Sequence, residues 1–119
     1  MTVRECYELI GGDYQSAVTR FKSDATLERF MTMFLSDQSM DLLHTGIEMG
    51  NLSLSFRSVH SLKGVAANLS FTDLQEKASA LTEQLRYRSE QPDKELLEAV
   101  EKSYDLTVRT IEALRASRS

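Results

Sequence analysis

The chain has 119 residues, 41% apolar and 27% charged, the size and balance of one globular domain that buries a core without disulfides or metals. Its formal net charge of -4, with no Lys/Arg-rich run, disfavours nucleic acid and anionic membrane as partners. Cys6 is the only cysteine, no stretch approaches the roughly 18 apolar residues of a membrane span, and the first residues lack the apolar region of a secretory signal, so a reducing, cytoplasmic setting is expected. Apolar residues recur at helical spacing and period-two alternation is nearly absent, so the elements are all helices. A short helix spans Val3 to Ile10 and is stopped by Gly11-Gly12. A second, Tyr14 to Phe21, sets Tyr14, Val18 and Phe21 on one face. Ser23-Asp24 offers an N-cap to a third, which runs to about Leu35 with Leu27, Phe30, Met31 and Phe34 inward. Asp37 to Met49 follows, inward on Met40, Leu43 and Ile47; Gly46 is expected to weaken it by about 1 kcal/mol relative to alanine, and Gly50-Asn51 closes it.

Leu52 to Leu69 is the central helix. Phe71-Thr72 opens the next, with Thr72 and Gln75 spaced as a capping box and Leu74, Ala78, Leu81 and Leu85 as its apolar stripe. Ser89 to Pro92 is a connection, because the residue before a proline disfavours helix. The last helix runs from about Asp93 to Arg115, inward on Leu97, Val100, Tyr104, Val108, Ile111 and Leu114. Short loops make antiparallel neighbours, so the expected fold is all-α: an up-down-up-down four-helix bundle with the short N-terminal helices packed across it. One domain is expected over 1–119, divided into an N-terminal helical segment (1–22), a bundle core (23–115) and a frayed tail (116–119).

The central helix carries the chemistry. At 100° per residue, Leu52, Ser55, Val59, Leu62, Ala66 and Leu69 share one narrow arc, and His60 lies about 135° from its centre, on the solvent side. Its neighbours one turn away are Phe56, Arg57, Lys63 and Gly64, with Ala67 a turn further. Gly64 clears space beside the imidazole, Lys63 and Arg57 bring positive charge, and Phe56 and Ala67 supply an apolar rim for a docking partner. A neutral imidazole is a good nucleophile near pH 7. Exposed, with room for in-line approach and a cation nearby, it suits reversible capture of a phosphoryl group. There is no P-loop, so no ATP-dependent kinase activity is expected, and no cofactor.

The segment His60-Ser61-Leu62-Lys63-Gly64-Val65-Ala66-Ala67-Asn68-Leu69 resembles the motif of histidine-phosphotransfer (HPt) domains, roughly H-x-L-K-G-x-x-x-N-L-G. The match covers His60, Leu62, Lys63, Gly64, Asn68 and Leu69, and the helical layout is similar over most of the chain. Ser70 departs from it, standing where a glycine is usual. The resemblance implies a four-helix bundle whose exposed histidine exchanges phosphoryl groups with aspartates of response-regulator receiver domains in two-component phosphorelays. On that basis His60 is the phosphoacceptor, Lys63 steadies the phosphoryl charge and Gly64 gives steric access, while Phe56, Arg57 and Ala67 meet the partner. Partners are then receiver domains or hybrid histidine kinases, and the chain is a phosphocarrier more than an enzyme with its own turnover. A monomer is expected, with a dimer through the N-terminal helices left open.

Two other readings stand beside it. An HPt-like adaptor would dock receivers or kinases on the same face without accepting phosphate, and a structural bundle subunit would need a large exposed apolar patch. Zinc is not expected: His44 and His60 have no ligand spacing and Cys6 is distant in sequence. His44 reads as a surface or boundary residue, the methionines as core filler, and Glu76, Glu83, Glu98 and Glu101 as solvated faces.

Overall fold

The computed structural model describes residues 1–87 and 89–118. Among them are seven α-helices and no strand: α1 (Val3–Ile10), α2 (Tyr14–Phe21), α3 (Asp24–Phe34), α4 (Ser39–Glu48), α5 (Leu52–Asn68), α6 (Thr72–Leu85) and α7 (Lys94–Ala116). Local chemistry sets most of the starts. The Thr2 hydroxyl accepts from the Glu5 amide at 3.1 Å while the Thr2 amide donates to the Glu5 carboxylate at 2.9 Å, a reciprocal box at the head of α1. Asp13, Ser23, Asn51 and Asp93 each accept from the amide three residues on, opening α2, α3, α5 and α7.

The expected capping box of α6 does not form. Phe71 occupies the N-cap without a side-chain bond, Thr72 is already helical, and its hydroxyl donates back to the Ser70 carbonyl. The reason is Phe71 itself, which is buried against Tyr7 and Phe34 and fixes where the chain turns. Asn51 is likewise the start of α5 more than the close of α4, which ends through Gly50 at a φ of 65°.

Packing runs through the sequence order. α5 lies against α4 and α6, α6 against α7, α1 against α7 and α3, and α2 against α3. Leu27, Met31 and Phe34 of α3, Leu43 of α4, Val59, Leu62 and Ala66 of α5, and Leu74, Ala78, Leu81 and Leu85 of α6 form one continuous core with Val100, Ile111 and Leu114 of α7. Each buried leucine contributes about 2 kcal/mol. The seam of α7 also includes hydroxyls: Ser103, Thr107 and Thr110 are buried, while Leu97, Tyr104 and Val108 are only half so. Thr107 donates to the Ser103 carbonyl at 2.8 Å and Ser103 to the Asp73 carboxylate at 2.7 Å, which satisfies them inside the bundle. Phe30, expected inward, is 37% exposed and lies against Phe21, ring centres 4.8 Å apart.

Gly46, expected only to weaken α4, is also a packing residue. A Cβ there would stand 2.7 Å from the Ser55 hydroxyl and 2.8 Å from the Ser55 amide nitrogen, so its absence lets α4 and α5 approach. At the other end of the chain, Ser117 donates to the Leu114 carbonyl and the Arg118 guanidinium pairs with Glu28 of α3 at 2.9 Å. Ser119, the last residue of the tail expected over 116–119, lies outside the described residues.

Candidate functional site

α5 buries Ser55, Ser58, Val59, Leu62 and Ala66 and leaves His60, Arg57 and Gly64 exposed on its far side, with Phe56, Lys63 and Ala67 half-buried at the margins. Beyond its own stretch of helix, nothing among the described residues lies within 4 Å of a Cβ built on Gly64, so the space beside the imidazole is open. The Phe56 ring is anchored against the core and lies nearly parallel to the imidazole, with ring centres 5.9 Å apart and 8° between the planes. Stacking of this kind steadies a flat side chain without enclosing it.

The other expected residues are less uniformly arranged. Arg57 turns away, its Nε donating at 3.4 Å to the Ser53 carbonyl one turn towards the start of the helix. Ala67 borders a polar hollow with Asp13, Ser16, Arg20, Ser70, Thr72 and Gln75, where an apolar rim was expected. A more apolar groove, between α3 and α5, is lined by Phe30, Met33, Phe34, Val65 and Leu69 together with Ser36, Asp37 and Asn68. Lys63 stands close enough to Glu83 of α6 for its charge to be felt there. The Glu83 carboxyl is held below its ordinary range, first by a hydrogen bond from Arg86, then by the charges of Arg86, Lys63 and His60.

A family model described as Hpt domain matches residues 29–117, well over half of the chain. The chain belongs to the Hpt domain family. None of the curated proteins or solved structures compared with it gives a match. The motif of this Hpt domain, His60 to Leu69, falls within the matched residues and occupies α5 and its C-cap.

The departure at Ser70 has a local account in the Hpt domain. Ser70 adopts the left-handed conformation, with a φ of 56°, which glycine would take without strain. Here the serine hydroxyl donates to Ser16 at 3.1 Å and accepts from Arg20 at 3.3 Å, tying the turn to α2. Arg20 also donates to the Asn68 carbonyl at 2.6 Å and the Ala67 carbonyl at 3.3 Å, so it caps the C-terminus of α5, where the helix dipole favours a cation. Tyr7 of α1 reaches the same end, donating to the Leu69 carbonyl at 2.7 Å.

Sequence reasoning missed Glu83, Arg86 and Arg20. The signal for the first two was the short turn at residues 69–71: in a helical hairpin, residues at equal distances from the turn lie level, which brings the last turns of α6 beside Phe56 and His60. Arg20 left no comparable trace, since its contacts lie 47 to 50 residues away. His44 pairs with Glu101 of α7 at 2.7 Å, and no group of three or more His, Cys, Asp or Glu side chains able to hold a metal occurs among the described residues.

Proposed function

We propose that this Hpt domain is a phosphocarrier: His60 accepts a phosphoryl group from the aspartate of one receiver domain and passes it to another in a two-component phosphorelay. Hpt domains work with receiver domains and kinases in phosphorelays. The observation that carries the reading here is an exposed imidazole, stacked on Phe56 and beside the open space at Gly64.

The chemistry balances without a cofactor. A neutral imidazole nitrogen attacks the phosphorus of the acyl phosphate, an N–P bond forms, the O–P bond breaks, and the aspartate carboxylate leaves with the electron pair. The other ring nitrogen keeps its proton during the step, so no base is needed, and the carboxylate leaves unprotonated, so no acid is needed either. Lys63 offsets the charge of the phosphoryl group, which is close to two negative units. Gly64 leaves room for in-line approach, and Phe56, Arg57 and Ala67 meet the receiver; magnesium belongs to that partner. The scaffold is one domain with an up-down-up-down arrangement of α4 to α7 and the N-terminal helices packed across it, acting as a cytoplasmic monomer. No helix among the described residues is long and apolar enough to cross a membrane.

The test is to incubate the chain with radiolabelled, phosphorylated receiver domains, with His60→Gln beside it. Acid-labile, alkali-stable label on the wild type and none on the variant, at equal helicity and melting temperature, is the expected result. Label that survives His60→Gln would overturn the assignment. Binding without any transfer would make the chain an adaptor.

A further inference from the structure

A cation stands on the neighbouring helix as well. The guanidinium carbon of Arg86, at the C-terminal end of α6, lies 5.8 Å from the centre of the Phe56 ring, the same ring that stacks on His60. Glu83 holds it there: the Arg86 Nε donates to the Glu83 carboxylate at 2.8 Å, and a second guanidinium nitrogen contacts the same oxygen. Both side chains are substantially exposed, 45% for Arg86 and 59% for Glu83, so the pair is held by mutual attraction in solvent and not by burial. The Glu83 carboxylate also shares the field of Lys63 and His60.

This arrangement has one charge balance with a bare imidazole and another with a phosphorylated one. Beside neutral His60, Glu83 and Arg86 neutralise each other. A phosphoryl group adds close to two negative charges, so Glu83 becomes a like-charged neighbour and Arg86 gains a stronger acceptor. Guanidinium binds phosphate oxygens in a fork and stacks on aromatic faces, so an arginine on the Phe56 ring has the chemistry to serve either acceptor. Arg57, the arginine expected for this task, reaches back to the Ser53 carbonyl at 3.4 Å.

We infer that Arg86 is a second cation for phosphorylated His60, kept in reserve by Glu83, and that Glu83 sets how strongly the chain holds the phosphoryl group. The inference rests on His60 being the carrier.

The experiment measures the equilibrium share of phosphoryl group on His60, first against a phosphorylated receiver domain and then with phosphoramidate as donor and no receiver present. Arg86→Ala is expected to lower that share about two- to fivefold, Arg86→Lys to recover part of it, and Glu83→Gln to raise it by a similar factor, the range of exposed charge pairs. Added salt is expected to shrink all three effects, and thermal melting checks that every variant is folded. Unchanged shares with His60 still labelled overturn the inference and leave the carrier reading intact. An ordering that appears only with the receiver assigns Arg86 to docking and also overturns it. No label on the wild type from any donor removes both.

Discussion

Gly46 and Gly64 lie on packed helices and meet opposite surroundings. A methyl group at Gly46 collides with the backbone of Ser55, whereas one at Gly64 meets open space. Gly46→Ala is therefore expected to destabilise the fold by about 1–2 kcal/mol, since overpacking costs about 1–3 kcal/mol and outweighs the helical gain. Gly64→Ala is expected to stabilise it by about 1 kcal/mol while slowing phosphoryl transfer. Urea midpoints for the two variants, read beside the transfer rate, check the signs; a Gly64→Ala chain that is both more stable and fully active removes the steric role of that glycine. Composition treats the two glycines alike, because what separates them is the partner helix. The same limit hid Arg86, and left Glu83 to be read from the sequence as a solvated charge until α6 is set beside Phe56.

At the scale of elements, α5 is held at both ends by side chains. Asn51 caps its start, and Arg20, Tyr7 and the Ser70 turn hold its finish. Arg20→Ala frees carbonyls of the last turn and is expected to cost about 1 kcal/mol, discounted for exposure. Amide exchange is expected to quicken in the last turn of α5 while the turn bearing His60 keeps its protection; equal quickening throughout would show that Arg20 supports the whole bundle instead. The helices themselves were legible, because Leu74, Ala78, Leu81 and Leu85, or Leu27, Met31 and Phe34, repeat at the period of a buried stripe. The seam of α7 was only half legible. Ser103, Thr107 and Thr110 count as polar in any pattern, yet the helix and Asp73 absorb the Thr107 and Ser103 hydroxyls. The false capping box at Thr72 has the converse cause: the local motif was present, and the burial of Phe71 decided against it.

For the molecule as a whole, the aromatic groups set an alkaline limit. Tyr7 is fully buried and its phenol is pushed well above the ordinary tyrosine range, chiefly by burial. Burial also raises Tyr104, and a hydrogen bond to Asp24 raises Tyr14. A group whose folded pKa exceeds its unfolded value adds stability that is complete below the unfolded pKa and lost as pH rises beyond it. Urea midpoints are thus expected to hold through neutral pH and fall above about pH 10, the ordinary tyrosine value. Tyr7→Phe, which loses the bond to Leu69 and about 1 kcal/mol near neutrality, should flatten part of that decline. An equally steep fall in the variant assigns it to other groups.

The packing of α1 bears on where this domain can be cut. The family match begins at residue 29, but Val3, Cys6, Tyr7, Ile10 and Ala17, all before it, are buried in the same core as Phe71 and Leu114. A fragment trimmed to residues 29–117 leaves a raw apolar surface on α7, strips the aromatic cover from Phe71 and removes Arg20 from the end of α5. Such a fragment should be stickier and softer than the intact chain, so an inactive truncation would report a missing wall of the fold and not a missing reactant.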